Sequence, residues 1–207
     1  MVDDVRTLVG DLVGIEEMAR IAEAAGAWPG KGMGRNMAAA LGTSETTLLR
    51  LTAGHAAVVN DAVPRRPYVL QELRTGEDVV FDMVRGPLPR FRSASRGPIV
   101  PRDVSADMVS MMRGVITRGT AAAAFADHPV TLAGKTGTSQ SYRDAWFVGV
   151  TPHLAIGVWV GRDDNAPIPG SGSGGRLAAP IAADILRKAH ADGLVASDGL
   201  RDAMPSS

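Results

Sequence analysis

The reactive groups of this chain concentrate around one lysine. Glycines and hydroxyls flank it in Leu132-Ala133-Gly134-Lys135-Thr136-Gly137-Thr138-Ser139, and Asp144-Ala145-Trp146-Phe147-Val148-Gly149 follows. Lys135 is one of three lysines, set against nineteen arginines. An ammonium is compact and can release a proton where its surroundings favour it, which a guanidinium does not do. A lysine in this position therefore points to proton handling or to anion binding. Thr136 and Thr138 add hydroxyls that donate or accept, on β-branched frames suited to a strand. Gly134 and Gly137 remove bulk beside Lys135, which predicts close approach of another chain or a substrate to the backbone.

Gly134-Lys135-Thr136 also matches the end of a phosphate-binding loop. That loop places a glycine where Pro129 stands, and it starts a helix at the lysine so that backbone N–H groups face phosphate. An alternating segment follows here instead, which leaves a nucleotide binder as the weaker alternative. His55, His128, His153 and His190 have no ligand spacing to one another. His55 reads as a helix-surface or packing residue and His128 as a loop residue. Asp163-Asp164-Asn165 has too few ligands at set spacing for a calcium loop and reads as a polar turn. Gly170–Gly175 lacks a phosphate-loop lysine and reads as an exposed flexible loop. Trp28, Trp146 and Trp159 are too dispersed for a stacking platform; Trp146 and Trp159 fit strands as core residues. No cofactor and no metal site is expected.

The elements that must position Lys135 follow from periodicity. Residues 5–26 carry helical spacing with a break at Gly10 or Gly14, and residues 28–34 read as loop. Thr43 or Ser44 is the expected cap of a helix from about 45 to 60, with Leu48, Leu51, Ala56, Val58 and Val59 as its apolar face. Residues 67–73 and 78–84 predict a hairpin around Thr75-Gly76. Residues 85–102 read as loop. Asp103 or Ser105 then caps a helix to Arg118 whose methionines (Met108, Met111, Met112) read as core filler. Three strands are expected at about 130–139, 143–151 and 154–161, and a closing helix from Leu177 to Ala191 marked by Ile181, Ile185 and Leu186. Strands so close in sequence leave no room for crossover helices, so the sheet is expected to be antiparallel and the class α+β.

Composition bounds the function. The chain has 207 residues, zero formal net charge and no cysteine. Scattered arginines and zero net charge give no field for nucleic acid or an anionic membrane. Disulfides and thiolate sites are excluded, and no signal peptide or membrane-spanning apolar run is present in these residues.

Lys-Thr-Gly-Thr, then Asp-Ala-Trp-Phe-Val-Gly, Thr151-Pro152 and Val158-Trp159-Val160-Gly161 resemble the penicillin-binding transpeptidases, most of all the bifunctional class A enzymes. Ala40-Leu41-Gly42-Thr43-Ser44-Glu45, Gly119-Thr120, Gly174-Gly175 and Ala179-Pro180 agree, in the family's order, from about residue 8 to 190. The family's site uses S-x-x-K, S-x-N and K-T-G. No serine here has a lysine three residues later or an asparagine two residues later. The resemblance therefore implies the C-terminal part of a transpeptidase domain over residues 1–192 and no catalysis by this chain alone; residues 193–207 read, as a chain end, as a disordered tail.

It further implies a partial β-lactamase/transpeptidase-like fold, with about three antiparallel strands, a small hairpin and flanking helices. The implied reaction is peptidoglycan cross-linking through a serine acyl-enzyme. Lys135 would pass a proton and draw in the substrate carboxylate, Thr136 and Thr138 would hydrogen-bond that carboxylate, and Gly137 would keep the strand edge clear. The Thr138 N–H would form half the oxyanion hole. Implied partners are D-Ala-D-Ala stem peptides and β-lactams, at the extracytoplasmic face of a bacterial membrane reached only through parts outside this chain. A non-catalytic cell-wall peptide-binding module is the alternative. Helix and sheet faces left uncovered by the absent portion are expected to lower stability.

Overall fold

The computed structural model describes residues 12–27, 38–39, 42, 44–65, 67, 72–82, 97–170 and 172–197. The expected loops at 28–34 and 85–96, strand residues 68–70 and the tail beyond 197 lie outside the described residues. The elements are α1 (Ile15–Ala24), α2 (Leu48–Val59), β1 (Glu72–Thr75), β2 (Asp78–Asp82), α3 (Arg102–Thr117), β3 (Ala133–Thr138), β4 (Asp144–Val150), β5 (Ala155–Gly161) and α4 (Ala179–Ala191). β1 and β2 form an antiparallel hairpin, and β3-β4-β5 form an antiparallel sheet in sequence order. The class is α+β, as the close spacing of the strands requires.

Helices cover both faces of the β3-β4-β5 sheet. On one face Phe147, Leu132 and Ile116 meet Phe125, Ala178, Ala179, Ala182, Ala183 and Leu186. The alanines of α4 let its backbone approach the sheet, and the Phe147 ring stacks on Phe125 with centroids 5.3 Å apart. On the other face Ala133, Val148 and Val150 pack against Val109 and Met112 of α3 and Leu51, Val58 and Val59 of α2. Among the described residues β3 and β5 each pair on one side only.

Several local expectations are corrected. α2 starts at Leu48 and is capped by Thr47, whose hydroxyl accepts from Arg50 N, rather than by Ser44; Thr43 lies outside the described residues. Neither Asp103 nor Ser105 caps α3, which begins after Pro101. Ser105 is buried within the helix and donates to the Val58 carbonyl, tying α3 to α2. Ser105, Val109, Met112 and Ile116 form the inward stripe of α3. Met108 and Met111 fall outside it and are exposed rather than core. On α4, likewise, Ile181 and Ile185 face outward while the alanines and Leu186 face the sheet. Residues 193–197 are tied down rather than frayed: Thr131 N donates to the Ser197 carbonyl at 2.9 Å, and the Val195 carbonyl lies 2.8 Å from His190 Nδ1.

Candidate active site

Lys135 lies inside β3, not at the start of a helix, so the phosphate-loop alternative is overturned. Alternation divides the strand. Ala133, Lys135 and Gly137 face the α2–α3 side, and Gly134, Thr136 and Thr138 face the α4 side. Lys135 is exposed, at the outer strand of a row that continues through Val148 of β4 to Gly157 of β5. α2 lies directly on the β5 end of this row: a Cβ on Gly157 would stand 2.1 Å from Thr52 Oγ1 and 3.0 Å from Leu48 Cδ1. The Lys135 ammonium reaches along its own strand and donates to the Thr136 carbonyl.

The glycines have other neighbours than a ligand. A Cβ on Gly134 would meet Ile116 Cδ1 at 2.9 Å and Phe147 Cζ at 3.0 Å, so this glycine makes room for the core. Gly137 faces Trp146, whose Cβ would lie 3.2 Å from an added Cβ. From the opposite side Gly174 presses on the same backbone, and an added Cβ there would sit 2.5 Å from the Gly137 carbonyl oxygen. Gly174 opens a π-helical turn, Gly174–Ala178, and is buried. The 170–175 run is thus not wholly the exposed flexible loop expected of it.

Both hydroxyls of the motif are engaged on the α4 side. Thr136 is 9% exposed, and its Oγ1 lies 2.5 Å from Thr120 Oγ1. Thr138 is exposed, and its Oγ1 accepts from Gly174 N at 3.1 Å. The end of β3 is pinned as well. Ser139 Oγ accepts from Asp144 N at 2.8 Å, and Ser139 N donates to the Asp144 carbonyl at 3.0 Å. Trp146 and Trp159 share the Lys135 face, with ring centroids 6.3 Å apart. Trp159 is 42% exposed rather than core, held by its indole N–H donating to Asp144 Oδ1 at 2.9 Å.

From the sequence, His55 of α2 is legible only as a helix-surface or packing residue. The structure makes it half-buried, with Nδ1 donating to the Leu51 carbonyl at 2.9 Å. Burial, and then the nearby positive charge of Lys135, hold its pKa below the ordinary histidine range. The folded chain therefore keeps His55 neutral to a lower pH than the unfolded chain does. This contribution to stability is complete above about pH 6.5 and is lost as pH falls through the depressed folded value. Melting curves between about pH 7.5 and 5 should show that loss, and His55→Gln should reduce it. An unchanged pH dependence in the variant would contradict this assignment. Among the described residues no cluster of three or more His, Cys, Asp or Glu could hold a metal, and no helix is long and apolar enough to cross a membrane.

The family model of the penicillin-binding protein transpeptidase domain matches residues 15–187. Penicillin-binding protein 1A of Aquifex aeolicus (strain VF5) is 33% identical over 148 residues, 72% of this chain and 19% of the relative. The protein of the same name from Neisseria lactamica is 32% identical over 174 residues, 79% of this chain and 21% of the relative. This chain thus spans about a fifth of the length of these relatives. Penicillin-binding protein 1A from Haemophilus influenzae has the same fold, with a TM-score of 0.74 over 92% of this chain and 33% of that one at 19% identity. PonA1 from Mycobacterium tuberculosis gives 0.69 over 86% and 50% at 24% identity. With the lysine strand outermost among the described strands of the sheet and a family match over most of its length, the chain belongs to the penicillin-binding protein transpeptidase family.

Proposed function

We propose that this chain supplies the lysine wall of a peptidoglycan D,D-transpeptidase site. The observation that carries the reading is an exposed Lys135 on a strand that is outermost among the described strands, with Thr138 exposed at its end and Thr136 nearly buried against Thr120. A D-Ala-D-Ala stem peptide would lie along that edge as an added strand. Lys135 would attract the terminal carboxylate, with Thr136 and Thr138 donating to it. A serine would attack the penultimate carbonyl, whose oxyanion would take the Thr138 N–H and the nucleophile's own N–H. The serine would lose its hydroxyl proton on attack, and the amide C–N bond would break, releasing terminal D-Ala, as Lys135 relays a proton to the departing amine. The acyl group would then go to the amine of a second stem peptide. β-Lactams would enter by the same edge, at the extracytoplasmic face of the membrane.

No serine of this chain stands in an S-x-x-K or S-x-N motif. The nucleophile therefore belongs, in this proposal, to a segment carried ahead of these residues in a longer protein, which would also add strands to the sheet. Fluorescent penicillin tests the reading. The longer protein should be labelled covalently, and the 207-residue chain should not be. Labelling of the 207-residue chain would refute the placement of the nucleophile. Failure of both to label, with saturable binding of a D-Ala-D-Ala peptide that Lys135→Ala abolishes, would favour the non-catalytic binding module.

A further inference from the structure

We propose that Thr120 is a positioning residue, orienting the Thr136 hydroxyl toward the carboxylate of an incoming peptide or β-lactam; the inference rests on the function proposed above. Thr120 stands just after α3 and is exposed, and its Oγ1 is 2.5 Å from that of nearly buried Thr136. Each hydroxyl has one hydrogen and two lone pairs. If Thr136 donates to Thr120, it has no hydrogen left for a ligand. When Thr120 donates to Thr136, the Thr136 hydrogen turns to a third group. An anionic acceptor forms the stronger bond, so a carboxylate selects this second arrangement.

The surroundings hold Thr120 in place for that task. The chain folds back sharply at Gly119, where an added Cβ would lie 2.8 Å from Val115 Cα. Gly175 of the π turn presses on the Thr120 carbonyl, 2.2 Å from an added Cβ. Its neighbour Gly174 donates to Thr138 Oγ1, and a hydroxyl that accepts keeps its own hydrogen for donation. One turn thus backs both hydroxyls of the motif as donors: Thr138 directly, and Thr136 through Thr120.

The test uses the full-length protein that carries the nucleophile. Thr120→Val keeps the shape and removes the hydroxyl, and Thr120→Ser restores it; Thr120→Ala serves where valine lowers the melting temperature. The second-order acylation rate constant for a penicillin should fall about tenfold in the valine variant. It should return toward the parent value in the serine variant. The penicillin methyl ester, which lacks the carboxylate, should react equally with parent and valine variant. An undiminished rate in Thr120→Val, an equal fall for acid and ester, or no rescue by serine overturns the positioning role and leaves the transpeptidase reading standing. A parent protein that penicillin never labels overturns that reading and this inference together.

Discussion

Gly174→Ala is expected to cost about 3 kcal/mol, and so to lower the melting temperature by roughly 6–12 °C. The added methyl would lie 2.3 Å from the Trp146 carbonyl oxygen, 2.5 Å from that of Gly137 and 3.0 Å from Gly137 N. All three are backbone atoms of paired strands, since Gly137 and Trp146 are register partners in β3 and β4. Neither can retreat by rotating a side chain. The strain must be relieved by lifting the π turn from the sheet, and that breaks the Gly174 N to Thr138 Oγ1 bond and loosens the start of α4. Gly97→Ala is the control, because nothing lies within 4 Å of its added Cβ. Thermal melts of the two variants decide the matter. Equal melting temperatures would mean that the turn is not held against β3.

The strands were legible because an alternating apolar pattern interrupted only by short polar turns admits little besides an antiparallel meander. The sides of the helices were less so. Ile181 and Ile185 are larger and more apolar than Ala179, Ala182 and Ala183, yet the alanines face the sheet because a close-packed helix needs short side chains there. The same bias toward size misplaced Met111 and Trp159. Lys135 and its hydroxyls were visible in the sequence as chemistry, but their surroundings were not. Thr120 and Thr136 meet only because α3 ends in a fold-back, and His55 senses Lys135 only because α2 lies across the sheet. The glycines misled in an instructive way. Gly134 gives its space to Phe147 and Ile116, and Gly174 gives its own to the backbone of β3 and β4. A missing side chain announces close approach without saying what approaches.

Lys135 is where the proposed chemistry separates two roles that one residue would combine. In the full-length protein Lys135→Ala should lower acylation by about 10²–10³-fold, the loss that follows removal of one charged group from an acyl-transfer site. Lys135→Arg keeps the positive charge and the reach to a carboxylate but holds its proton at all working pH values. If Lys135 both attracts the carboxylate and moves a proton, the arginine variant should keep an apparent substrate affinity close to the parent value while its turnover falls with that of the alanine variant. Saturation kinetics with a D-Ala-D-Ala ester read the two constants apart. An arginine variant with parental turnover would reduce Lys135 to an electrostatic anchor. The site's proton would then have to move through another group, and half-buried His55, on the same side of the sheet, is the titratable neighbour to substitute next.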